Sequence, residues 1–223
     1  MAIAVPEALV ISLPETDTGA IAPYAASIVL PHAAACGAVV LGPGMVDQAA
    51  AGALTAELLR VLNGPPLVLD AAAMSQLREH RDLLRRHSGR IVITPHPGEM
   101  AAMLDMTKEE VESDPLQTAR HASTLFHAVV ALKGAHTWIA TPGGAAWVFR
   151  HGCIGLATAG SGDVLAGVIS GLLARGAEPV QAAAWAVHLH AEAGHRLTKS
   201  KGPVGFLARE LLDEIPGVMA RMA

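Results

Sequence analysis

Four small residues and one carboxylate stand together in "TAGSGDVLAG", residues 158 to 167, directly ahead of a long apolar run. Gly160 and Gly162 permit a tight backbone curve, Ser161 adds a hydroxyl, and Asp163 begins the helix that "DVLAGVISGLLARG" predicts. Free N–H groups at a helix N-terminus, helped by the helix dipole, attract phosphate or a developing negative charge. A carboxylate at the rim of such a cradle can take a proton from a hydroxyl; it can equally serve as an ordinary Asp cap. The segment is not a Walker A loop, because no Gly-Lys-Ser/Thr ending follows.

Three other turns carry polar groups just beyond apolar runs. "VITPHPGEM" (92 to 100) places His96, Pro97 and Glu99 where open α/β sheets collect ligands. His96 can donate or accept a proton and Glu99 can orient a polar group; a rigid proline turn with a helix-starting Glu is the plainer reading. "ALKGAHTW" (131 to 138) ends a run with Lys133, Gly134 and Thr137, and its lysine either reaches a phosphate as a mobile positive charge or faces solvent. "VVLGPGM" (39 to 45) adds a glycine turn that is weak evidence alone. His188 and His190 lie two apart on an expected helix, so they do not face each other, and with His195 they complete no zinc pattern. They read as satisfied or exposed helix histidines.

The elements that must position these residues alternate. Candidate strands are "IAVP" (3 to 6), "AVVLG" (38 to 42), "PLVLD" (66 to 70), "IVITP" (91 to 95), "AVVALKG" (128 to 134), "HTWIATP" (136 to 142) and "AAWVFR" (145 to 150). The first five are apolar for most of their length, as expected of a parallel sheet covered on both faces; the last two flank "PGG", a hairpin signal on one margin. Helical periodicity runs through "DQAAAGALTAELLRVLN", "MSQLREHRDLLRRH", "DPLQTARHASTLFH", "PVQAAAWAVHLHAEAGHRLTK" and "PVGFLARELLDEIPGVMARM", while "KEEVES" (108 to 113) reads as a solvated stretch near a helix start. The expectation is a three-layer α/β fold with a mainly parallel central sheet.

Composition narrows the function classes. The 223 residues suit one large-cored domain, and with 52% hydrophobic but 3% aromatic residues the interior must be built from Ala, Val, Leu, Ile and Met. A formal charge of -4 argues against a nucleic-acid partner. Cys36 and Cys153 have no metal-type spacing and read as reduced thiols, which points to the cytoplasm. Residues 21 to 42 hold no Asp, Glu, Lys or Arg, yet Pro23, Pro31 and a Gly-Pro-Gly ending predict a helix and a buried strand rather than a membrane span.

Taken in order, "LGPG", "LVLDA", "ITPHPGEM", "LKGAHTWIA" and above all "GLATAGSGDVLAGVISGLLARG" resemble the ADP/ATP-dependent NAD(P)H-hydrate dehydratases, whose fold is similar to the ribokinase-like kinases. The resemblance runs from about Ile3 to Pro216. It implies a ribokinase-like domain over residues 1–223 and ADP- or ATP-driven loss of water from hydrated NADH or NADPH, through a phosphorylated hydroxyl, with Mg2+ screening the phosphates. It implies nucleotide binding by Lys133, Gly134, Ala135, His136, Thr137, Gly160, Ser161 and Gly162. Hydrated dinucleotide would lie near Gly44, His96 and Asp163, Glu99 would support it, and Asp163 would be the base. No protein metal ligand is implied, no membrane or nucleic acid, and a homo-oligomer is. A small-molecule kinase and a non-catalytic nucleotide-binding protein are the alternative functions.

Three departures accompany the resemblance. The family's "LDADAL" reads "LDAAAM", keeping Asp70 but placing Ala72 at a second carboxylate; "GNPGMAT" reads "GCIGLAT", with Cys153 at an Asn position. The family's usual glycine-rich strand-turn-helix ahead of "MAIAVPEAL" is lacking, so the domain reads as N-terminally shortened.

Overall fold

The computed structural model describes residues 5–87 and 89–222. Its centre is a six-stranded sheet in the order β1 (Val39–Leu41), β2 (Leu67–Leu69), β3 (Ile91–Ile93), β4 (Val129–Leu132), β5 (Thr137–Ala140) and β6 (Ala146–Phe149). The first four are mutually parallel, and β4–β5 and β5–β6 are antiparallel. The hairpin expected around "PGG" is thus the β5–β6 turn, closed by Thr141 and Gly144. Of the "IAVP" strand, Ile3 and Ala4 lie outside the described residues, and Val5 and Pro6 form no strand.

Each parallel strand is a short apolar run whose alternate residues enter opposite layers. Leu67, Leu69, Ile91, Ile93, Val130 and Leu132 join one core, while Val68, Val92, Val129 and Ala131 join the other. Parallel strands laid down in sequential order, with crossovers of one hand, put every crossover helix on the same face. That face is covered by α1 (Ala26–Ala35), α2 (Gln48–Val61), α3 (Arg81–Arg85), α4 (Pro97–Leu104), α5 (Lys108–Ser113) and α6 (Pro115–Phe126). The opposite face must be covered by chain that follows the sheet. It is, by α7 (Ser161–Ala174) and α8 (Pro179–Lys201), with α9 (Leu211–Met219) packed on α8 at the far end.

Three local expectations change. "MSQLREHRDLLRRH" is not one helix: a 3-10 turn at Ala71–Met74 and further turns precede the short α3. Leu77 and Leu84 are buried seven residues apart with turns between them, so burial rather than periodicity set this path. The C-terminal run is non-helical until the 3-10 turn at Ala208–Glu210. "KEEVES" is itself α5, capped by Thr107, with Val111 buried on its inner side. The apolar stretch 21 to 42 holds α1 and β1, and among the described residues no helix is long and apolar enough to cross a membrane.

Candidate active site

All four expected turns meet at the carboxyl ends of β1 to β4. Gly42 and Gly44 follow β1 in the left-handed region, and a Cβ on Gly42 would sit 1.7 Å from the Asp70 carbonyl, so only glycine lets these two strand ends approach. Asp70 follows β2, Thr94 and His96 follow β3, and Lys133 follows β4. Backbone bonds from Asp70 to Leu41, Thr94 to Leu69 and Lys133 to Pro95 carry the ladder one residue past the strands and fix the polar side chains side by side.

The centre of this group is Asp70, which is 2% exposed. Its Oδ1 accepts from Lys133 Nζ at 2.8 Å and from Thr94 Oγ1 at 2.8 Å, while Lys133 Nζ also stands 4.0 Å from Glu99 Oε2. Lys133 is therefore neither a mobile charge nor a solvent-facing turn lysine; it is a largely buried cation held between two carboxylates. Asp70 and Thr94 were not among the expected site residues. Their signal was a single polar residue closing an otherwise apolar strand, in "PLVLD" and "IVIT".

His96 and Glu99 form the start of α4. His96 is the N-cap: its Nδ1 accepts from the N–H groups of Gly98 and Glu99, and Glu99 Oε2 accepts from the His96 N–H at 2.7 Å. The plainer reading of this turn holds for its hydrogen bonds, and Nε2 of the same exposed ring stands 3.6 Å from Glu99 Oε1. Gly134, Ala135 and His136 form an exposed turn between β4 and β5, with Thr137 half-buried behind it and Gly152 close against the Ala135 carbonyl.

The glycine cradle lies over Lys133: a Cβ on Gly162 would be 3.2 Å from Nζ and 3.8 Å from Asp70 Oδ2. Helix α7 begins at Ser161, and its N-cap is Gly160 in the left-handed region at φ 84°. The expectation that Asp163 begins or caps the helix is corrected, since it is the third helical residue and its side chain caps nothing. Its exposed carboxylate stands at the rim of an otherwise apolar groove of about 440 Å³, floored by Val164, Val168, Leu212 and Ile215. No hydrogen bond or ion pair among the described residues joins Asp163 to Gly44 or His96.

Ser161 is turned inward, with Oγ and carbonyl oxygen 2.9 and 3.0 Å from Nε2 of His190 on α8. Among the helix histidines His190 is the buried, satisfied one, while half-buried His188 rests edge-on against Phe149. Burial pulls the His190 pKa down to about 4; the Ser161 carbonyl opposes this and the Lys133 charge adds to it. Burial likewise lowers His87, whose Nε2 meets the Leu59 carbonyl.

The sign of the resulting pH dependence follows. Below the ordinary histidine value of 6.5 the unfolded chain binds a proton that folded His190 refuses until about pH 4. Stability is therefore full above pH 6.5 and falls as pH drops through that window, by about 1.4 kcal/mol per pH unit for one such group. Melting temperatures of a His190→Gln variant should decline less steeply over this range than those of the parent. An unchanged slope would place the lost stability elsewhere.

Residues 2–217 match the Carb_kinase family model, described as NAD(P)H-hydrate dehydratase. The chain is 44% identical over 231 residues to the ADP-dependent (S)-NAD(P)H-hydrate dehydratase of Xanthomonas campestris pv. campestris, covering 100% of this chain and 74% of that protein. It is 38% identical over 222 residues to the bifunctional NAD(P)H-hydrate repair enzyme Nnr of Moorella thermoacetica, covering 100% of this chain but 42% of that enzyme. Among solved structures, the ADP/ATP-dependent NAD(P)H-hydrate dehydratase of Bacillus subtilis, co-crystallised with ATP and Mg2+, aligns with a TM-score of 0.76 at 27% identity over 91% of this chain and 77% of that one. The fold is thus the ribokinase-like α/β fold with a mixed, mainly parallel sheet. The chain belongs to the NAD(P)H-hydrate dehydratase family.

Proposed function

We propose that this protein uses ADP or ATP to dehydrate hydrated NADH or NADPH, returning the reduced cofactor, and that residues 1–223 act as one domain. One observation carries the reading. The N–H groups of Gly162 and Asp163 find no acceptor among the described residues, and they open beside Lys133 with the Asp163 carboxylate on the same turn. A phosphate seated there meets two backbone donors, the positive end of a fourteen-residue helix and one ammonium. Gly160 shapes the entry, while Gly134, Ala135, His136 and Thr137 supply an exposed turn along which the nucleoside lies.

Asp163 accepts the proton of the substrate hydroxyl, whose oxygen attacks the terminal phosphoryl group as ADP or AMP leaves; the C–O bond then breaks to release phosphate and the neighbouring ring carbon gives up a proton to solvent, restoring the double bond. The hydrated ring approaches along the strand ends from Gly44 and His96, with Glu99 holding the His96 turn. Mg2+ needs only one or two protein carboxylates when phosphate oxygens complete its shell, and Asp70 Oδ2 and Glu99 are the carboxylates beside that path. Bound there, it would screen the phosphate charge during transfer. The unpaired Cys36 and Cys153 support a cytoplasmic setting, and exposed Ile28, Val40 and Trp147 support a homo-oligomer.

Incubating the protein with hydrated NADH, Mg2+ and either ADP or ATP should restore reduced-cofactor absorbance and release inorganic phosphate in equal amounts. A stable phosphorylated product would instead assign a kinase. Nucleotide binding without turnover would assign a binding protein.

A further inference from the structure

Among the described residues, no side chain caps the first turn of α7. Its N-cap is a glycine; the Ser161 N–H donates to the Thr158 carbonyl and the Val164 N–H to the Gly160 carbonyl, which leaves the donors of Gly162 and Asp163 open. Serine, threonine, asparagine or aspartate at the N-cap position would accept from one of these donors and so close the cradle. Here the serine stands one residue later and points away from the opening, into the interior, where Ser161 is 4% exposed.

Its partner defines the hydrogen positions. Nε2 of His190 stands 3.0 Å from the Ser161 carbonyl oxygen and 2.9 Å from Oγ. A carbonyl oxygen can only accept, so Nε2 carries the ring hydrogen and shares it between the two oxygens. The remaining packing of α7 on α8 is aliphatic, through Leu165, Ile169, Ala182 and Ala186. Such contact is non-directional. The His190 bond is directional, and the Ser161 carbonyl it meets shares one planar peptide with the Gly162 N–H, the first of the two open donors.

We infer that His190 is a positioning residue of the phosphate cradle, gripping the Ser161 peptide from beneath so that the Gly162 and Asp163 N–H groups stay aimed outward and unspent. This rests on the nucleotide reading proposed above. A conventional cap stabilises a helix start by occupying its donors; a grip on the carbonyl and hydroxyl oxygens stabilises the same turn and leaves the donors for a ligand.

The test is calorimetric titration of the full chain with ADP and Mg2+, beside a melting curve for each variant. His190→Ala should weaken ADP binding by about tenfold or more, the scale of one directional hydrogen bond. His190→Gln places an amide N–H near the Nε2 position and should stay within about threefold of the parent. Nitrogen-15 NMR of the unsubstituted protein at neutral pH should show a neutral His190 ring protonated on Nε2, a readout independent of variant folding. Equal ADP affinity in parent and folded His190→Ala overturns the inference, as does equal weakening by Ala and Gln, or an unprotonated Nε2. A parent protein that does not bind ADP overturns the nucleotide reading itself, and this inference with it.

Discussion

Asp163→Asn should lower turnover on hydrated NADH by roughly 10²- to 10⁴-fold, the usual scale for a positioned acid-base group. The substitution is mild for the fold. Asp163 is the third residue of α7, is exposed, and caps no N–H, so its stabilising effect is only the attraction of a carboxylate to the helix N-terminus, about 0.3 to 1 kcal/mol. The amide keeps the shape and cannot accept the hydroxyl proton. Nucleotide affinity should hold or rise slightly, because the Gly162 and Asp163 backbone donors survive and a negative charge beside the phosphates disappears. Steady-state turnover, a melting curve and an ADP titration on the same preparation separate these effects. Full activity in a well-folded variant would remove Asp163 from the mechanism.

The second large effect concerns the Asp70–Lys133 pair. Removing the cation leaves a carboxylate that is 2% exposed with one hydroxyl donor, Thr94. Breaking a buried pair in this way costs about 3 to 5 kcal/mol, and because the Lys133 side chain is 21% exposed the lower figure applies. For a chain of this size that is a fall of roughly 6 to 12 °C in melting temperature. Lys133→Ala should thus be destabilised, and adding Asp70→Asn should restore much of the loss by removing the orphaned charge. ADP affinity behaves differently: it should weaken in the single variant by up to the 1.5 to 3 kcal/mol of a charge-assisted contact, and the second substitution should not restore it as it restores stability. A double variant no more stable than the single one would show that the pair is not coupled. Unchanged ADP affinity at low salt, where screening is weakest, would leave Lys133 a purely structural cation.

Much of this molecule follows from local rules. Val39–Leu41, Leu67–Leu69, Ile91–Ile93 and Val129–Leu132 are apolar runs ended by glycine, aspartate, threonine or lysine, and such runs make buried strands whichever way the rest of the chain goes. The "PGG" turn and the Ser161–Ala174 helix behind its glycines are legible for the same reason. The residues 74 to 87 misled because two buried leucines at helical spacing do not require a helix between them. The cap reading of Asp163 fails because the N-cap is Gly160, three residues earlier and in the left-handed region, a backbone angle that composition does not record.

Partnerships lay beyond such rules. Asp70 and Lys133 are 63 residues apart and His190 and Ser161 29 apart, and nothing in either neighbourhood names the other. Lys133 looked like a free cation because a carboxylate at the end of β2 becomes its neighbour only when β3 is inserted between their strands in parallel register. His190 looked like one helix histidine among several until α8 packed beneath α7 and buried it. Local sequence chose the strands, turns and helix starts through backbone sterics and apolar periodicity. The choice of which charge meets which, and of which serine faces inward, came from the order of strands and the packing of two helices on the second face of the sheet.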